Sequence, residues 1–182
     1  MNTEYGHSPV PSIVPGSTVV TNRTVELVKL GRMYTVQTVF SGLTIGVTKD
    51  ILLDPSLFVG GFAVLYDFTY NVTQGKGIAQ FFAGGSYAVG TPLYIGNRNE
   101  NSPNTAVTVI SENPTVTTLG TGTYKYLAGG EVQGNQLAGG SGGDIDLPTE
   151  VKVSVPRLLR IIQSGGTGTF DLELRLVFAE IS

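Results

Sequence analysis

Asp144 and Asp146 follow the run Gly139-Gly140-Ser141-Gly142-Gly143, a partial match to the glycine–aspartate repeat of calcium-binding β-rolls. That repeat needs a large apolar residue where Asp146 stands, and it works only in tandem copies. A loop ending at a strand is therefore the expected reading, with no metal site. The same two acids have no obvious partner across a cleft, so glycoside hydrolysis by a carboxylate pair is not expected either. His7 is the only histidine and lies in a proline-rich start, so a Ser-His-Asp triad or a multi-histidine metal centre would have to be built on it. Gly75-Lys76-Gly77 and Gly120-Thr121-Gly122 suggest phosphate loops, but neither precedes a helical pattern or a Lys-Ser/Thr pair. Phe62, Phe68, Tyr66 and Tyr70 could form an aromatic platform for a sugar. Their spacing places them on one strand face with Val64, which is how a sandwich core reads.

Composition narrows the chemistry further. The chain has 182 residues and no cysteine, which removes disulfides, thiolate nucleophiles and cysteine-based metal centres. A net charge of −3 argues against a basic nucleic-acid-binding arm. Residues 1–8 carry Glu4 and no Lys or Arg, and no apolar segment follows, so a signal peptide is not expected. The sequons Asn22-Arg23-Thr24 and Asn71-Val72-Thr73 then read as chance matches. The longest near-apolar run, 58–66, is too short for a membrane helix. No cofactor is implied.

The elements that must position any site are strands. Glycine accounts for 25 residues, and there are 21 Thr and 21 Val, a mixture that favours pleated sheet and turns over helix. Residues 1–22 contain Pro9, Pro11 and Pro15, which fix an extended arm whose apolar side chains are Tyr5, Val10, Ile13 and Val14. Segments 24–30 and 33–40 flank Gly31-Arg32 and predict a tight hairpin. Further strands are predicted at 43–47, 62–70, 78–83, 93–95, 106–110, 115–119, 123–127, 150–155 and 157–163. The last is the clearest: Phe170, Leu172, Leu174, Leu176 and Phe178 alternate with Asp171, Glu173, Arg175 and Val177. No segment has convincing helical periodicity with caps. The pattern predicts an all-β chain: an antiparallel jelly-roll-like β-sandwich over 23–182, preceded by the arm at 1–22.

One shortage is informative. Between Lys76 and Lys125 the only charged residues are Arg98, Glu100 and Glu112. A soluble monomer usually carries mixed charge on its surface. A neutral surface rich in hydroxyls and amides suits subunits that pack together, because fewer charges need desolvation.

Several stretches resemble small virion proteins of tailed bacteriophages. They are Gly90-Thr91-Pro92, then Asn97-Arg98-Asn99 with Ser102, then the Thr-rich 115–122. The ending is similar too: Pro156-Arg157-Leu158-Leu159-Arg160-Ile161, a Gly/Ser turn, and an alternating strand closing in Phe178-Ala179-Glu180-Ile181. The resemblance spans 58–182. It implies a capsid decoration (cement) or head-fibre protein, a β-sandwich that dimerises or trimerises on the head. The expected function is accordingly non-enzymatic and structural, in a virion assembled in the host cytoplasm. Its partners would be the major capsid protein and copies of itself, with no nucleic acid or membrane. Docking is assigned to Tyr5, Val10, Ile13 and Val14 of the arm and to the loop residues Asn97, Arg98 and Asn99. The alternative is a glycan-binding module, a tail-fibre tip or carbohydrate-binding domain, displaying loop aromatics such as Tyr87 and Tyr94.

Overall fold

The computed structural model describes residues 23–73, 76–128, 140–141, 151–164 and 168–182. It opens not on a strand but on helix α1, Arg23–Lys29. The predicted first hairpin is therefore wrong, and Gly31 explains why. With φ at +64°, it ends the helix in a Schellman arrangement. Its N–H donates to the Val28 carbonyl and the Arg32 N–H to the Leu27 carbonyl, each at 2.9 Å. A left-handed glycine serves a hairpin turn and a helix stop equally well. Glu26 in the first turn and Lys29 in the last agree with the helix dipole. So short a helix is marginal alone. Leu27 anchors it in a small cluster with Met33, Val177 and Ala179.

The strands that follow are β1 (Met33–Thr44), β2 (Thr48–Asp54), β3 (Phe62–Val72), β4 (Lys76–Ala83), β5 (Ser86–Ala88), β6 (Thr91–Pro92) and β7 (Gly96–Asn97). After them come β8 (Val109–Glu112), β9 (Thr115–Thr118), β10 (Thr121–Ala128), β11 (Gly140–Ser141), β12 (Val151–Val153), β13 (Arg157–Ser164) and β14 (Thr169–Ile181). The chain is an all-β antiparallel sandwich. One sheet runs β11-β3-β14-β1-β7, with β12 also on β3; the other runs β10-β4-β13-β2-β8-β6. Among the described residues, no helix is long and apolar enough to cross a membrane.

The core lies between the sheets. On β14, Phe170, Leu172, Leu174, Leu176 and Phe178 are all buried, as their alternation predicts. They meet Ile51, Leu53, Phe81, Leu159 and Ile161 from the facing sheet. The Phe68 ring joins the two layers, edge-on to Phe81 with centroids 5.4 Å apart.

Strand β3 departs from the predicted register. Opposite β14, Val177 pairs with Asp67 but Phe178 pairs with Leu65, so Tyr66 is an extra residue at a β-bulge. The bulge exchanges the faces. Phe68 and Tyr70 point into the core, joined by Leu65 and Ala63, while Tyr66 packs on the helix side against the Leu27 cluster. Five aromatic and apolar residues expected on one face are thus divided between two. Another expected break vanishes: 33–40 and 43–47 do not form two strands, because β1 continues through a bulge between Phe40 and Leu43.

Between β4 and β10, residues 84–120 leave one edge of the sandwich and close the other. β8 pairs with β2 in one sheet and β7 pairs with β1 in the other. The predicted strand at 93–95 is not one. Leu93 and Ile95 instead pack against the core between the edge strands, and the Leu93 N–H donates to the Ile110 carbonyl at 2.8 Å.

Leu174 is 1% exposed. Truncating it in Leu174→Ala is expected to cost about 2–5 kcal/mol in urea unfolding, while Glu173→Ala on the outer face should stay within about 0.5 kcal/mol. A larger loss at Glu173 than at Leu174 would show the faces to be reversed.

Candidate functional site

At one end of the sandwich β14 finishes and β1 begins, and residues 97–108 cross over both. This crossing contains the predicted docking residues. Asn97 donates from Nδ2 to the carbonyls of Gly31 (3.0 Å) and Asn104 (2.9 Å), while its Oδ1 accepts the Asn99 N–H at 2.8 Å. Asn99 donates to the Lys29 carbonyl at 3.2 Å, and Asn104 to the Leu30 carbonyl at 3.2 Å. These amides satisfy carbonyls that the end of α1 leaves without helical partners. All three loop residues thus make hydrogen bonds that turn inward. Arg98 is exposed; its backbone N–H donates to Met33 at 2.9 Å.

Sequence reasoning missed Glu180. It is 5% exposed, and its Oε1 accepts the backbone N–H groups of Val107 (2.8 Å) and Thr108 (2.6 Å). The signal was present, because Glu180 has the same strand parity as Phe170 through Phe178. An acid at an inward position must be hydrogen-bonded or destabilise the fold. Here it fastens the crossing segment to the end of β14. Beside it opens a cavity of about 380 Å³ lined by Arg32, Tyr34, Phe58, Asn104, Thr105 and Glu180, among others. The Tyr34 phenol is held above its ordinary pKa, chiefly by burial and further by the negative charge of Glu180, while Arg32 acts in the opposite sense.

One charged cluster ties the 84–120 segment to the other sheet, and a second joins two strands within that sheet. Lys49 pairs with Glu112, donates to Asn113 Oδ1 at 3.2 Å, and lies 4.0 Å from the Phe40 ring centroid. Arg160 grips Asp50 through two bonds of 2.8 and 2.7 Å, and that hydrogen bonding to Asp50 is the main cause of its raised pKa. Tyr87 is within electrostatic reach of that pair. Its hydroxyl donates to the Leu119 carbonyl at 2.6 Å. The phenol is raised above its ordinary value, first by burial.

The other candidates separate clearly. Phe68 and Tyr70 are core residues, in keeping with the core reading of that strand and not with an aromatic platform; Tyr94 is 88% exposed. Gly120 leads into strand β10 rather than a helix. Tyr5, His7, Val10, Ile13, Val14, Asp144 and Asp146 lie outside the described residues. Among the described residues, no group of three or more His, Cys, Asp or Glu side chains is placed to hold a metal ion. No protein-family model, curated protein or solved structure matches the chain.

Two outcomes follow from this geometry. Asn97→Ala removes the two hydrogen bonds Asn97 donates and the one it accepts, and should lower the unfolding free energy by about 1–3 kcal/mol. Because the Tyr34 phenol titrates above its unfolded value of 10.0, the folded state retains a proton that the unfolded chain releases. Stability should therefore be level below that pH and fall above it. Tyr34→Phe should show a shallower alkaline decline in parallel unfolding titrations; an identical slope would remove Tyr34 as a cause.

Proposed function

We propose that this chain is a non-enzymatic structural protein of a virion, coating a tailed-phage capsid and bridging neighbouring capsid subunits. The observation that carries the reading is the strand order. The central strands run β12-β3-β14-β1 in one sheet and β10-β4-β13-β2 in the other. The first pair of strands is split between the sheets, the last pair is likewise, and β14 returns beside β1. That wrapping supports a jelly roll, an architecture used by capsid and lectin domains.

The surface favours a shell protein within that pair. Residues 77–124 carry three charges, and Glu112 among them is held by Lys49. Leu57 is 66% exposed and Val59 90% exposed at the tip of the loop between β2 and β3. Large apolar side chains left this exposed are what a close subunit contact would cover. A coat that binds only the assembled lattice stabilises it by mass action.

The arm supplies the test. Pro9, Pro11 and Pro15 restrict the backbone of residues 1–22, which lie outside the described residues, and would lower the entropy lost if Tyr5, Val10, Ile13 and Val14 dock on a neighbour. Deleting residues 2–16 should leave the sandwich folded and weaken attachment to bare capsids. Equal occupancy by truncated and full-length protein at limiting concentration would refute the arm's role and move docking to the sandwich loops.

A further inference from the structure

The cavity beside Glu180 has features that the shell reading does not use. Both hydrogen bonds to the carboxylate go to Oε1. Among the described residues no donor reaches Oε2, so it can accept a further hydrogen bond, on a side chain that lines the cavity. Arg32 lines the same cavity and is exposed, with one bond to the Ser182 hydroxyl at 3.3 Å. Both charges act on the Tyr34 phenol from nearby. Among the described residues, however, no ion pair joins Arg32 to Glu180. An acceptor and a donor thus border one open space without neutralising each other directly.

That arrangement selects the ligand by charge. Glu180 disfavours an anion and Arg32 disfavours a cation, since each would meet a like charge in a partly dehydrated site. A neutral group that donates to one and accepts from the other satisfies both, and a hydroxyl does each. Tyr34 stays protonated at neutral pH, and its bond to the Thr105 carbonyl is long at 3.4 Å, so its hydroxyl is a further partner. The half-buried Phe58 ring gives the cavity an apolar wall. Its volume, about 380 Å³, lies in the range of small-molecule sites. We infer that this cavity binds one pyranose unit of a neutral glycan, with Glu180 Oε2 and Arg32 holding its hydroxyls and Phe58 facing its C–H surface.

The site does not depend on the shell reading, and its test needs no particle. Full-length ¹⁵N-labelled protein is titrated with the methyl pyranosides of glucose, galactose and mannose, with glucosamine and glucuronate as charged controls. The expected result is a saturable shift of the Val107 and Thr108 amide resonances with at least one neutral glycoside and with neither control. Arg32→Ala, a surface change, should weaken that binding by about ten- to a hundred-fold, the loss of one hydrogen bond to a charged group. Glu180→Gln keeps an oxygen for the two amides but replaces the free acceptor with a donor, and should abolish binding. If that variant does not fold, Arg32→Ala decides alone. No shift up to the solubility limit of every neutral glycoside would overturn the inference. So would unchanged affinity in Arg32→Ala, or stronger binding of a charged control.

Discussion

The pairing of β14 on both sides is the constraint from which the rest of this structure follows. β1 and β3 each lie antiparallel against it over almost its full length. Five large apolar side chains on alternate positions fill the space between the sheets. Because strand parity is strict, the next inward position after Phe178 is Glu180. A carboxylate there must find donors within the fold. The N–H groups of Val107 and Thr108 supply them and draw the 84–120 segment across the end of the sandwich. The demand of one residue thus determines where a long connection runs.

That connection also solves the edge problem of an open sandwich. β1 and β2 would otherwise present unpaired backbone groups side by side, a template for aggregation. β7 and β8 occupy those edges, and Leu93 and Ile95 fill the gap between them. Two short strands bury little apolar area, so polar contacts carry much of the attachment. Lys49 with Glu112, and Asn97 with the end of α1, are the principal ones. Such buried pairs add less stability than their geometry suggests, because both ions lose water. They fix position more than they deepen the energy well.

The strand content and the faces of β14 were legible in the sequence because period-two patterning reports burial directly. The same reading failed where a local signal had two meanings or a distant partner decided. Gly31 stops a helix or turns a hairpin by the same positive φ, and Leu27 packing on Met33, Val177 and Ala179 selects the helix. The bulge at Tyr66 arises from the register of β3 against β14, and nothing in the run Phe62 to Tyr70 marks it. At the site, the Asn-rich loop was visible but its role was not. Asn97, Asn99 and Asn104 read as surface amides until α1 supplies the carbonyls they meet. Glu180 alone could have been found from parity.

The two sheets end with unequal outer faces, and the difference bears on function. In one, Leu52, Leu158 and Phe82 lie opposite one another across β2, β13 and β4 and are buried outside the main core. Tyr87 lies close enough to Asp50 and Arg160 to feel their charges, which puts the two-stranded β5–β9 sheet beside that face. In the other, among the described residues, α1 covers one end. The remainder shows Gln37, Val39, Glu173 and Arg175 to solvent, with Arg175 and Asp67 3.5 Å apart in a screened, weak pair. A charged, solvated face resists close docking, since its ions would have to be dehydrated. Val39 apart, strongly exposed apolar residues lie elsewhere, among them Leu57 and Val59 on the loop after β2 and Tyr94 within the 84–120 segment. Among the described residues, those positions are where a close contact would cover exposed apolar area, and the open polar sheet is where it would dehydrate charge.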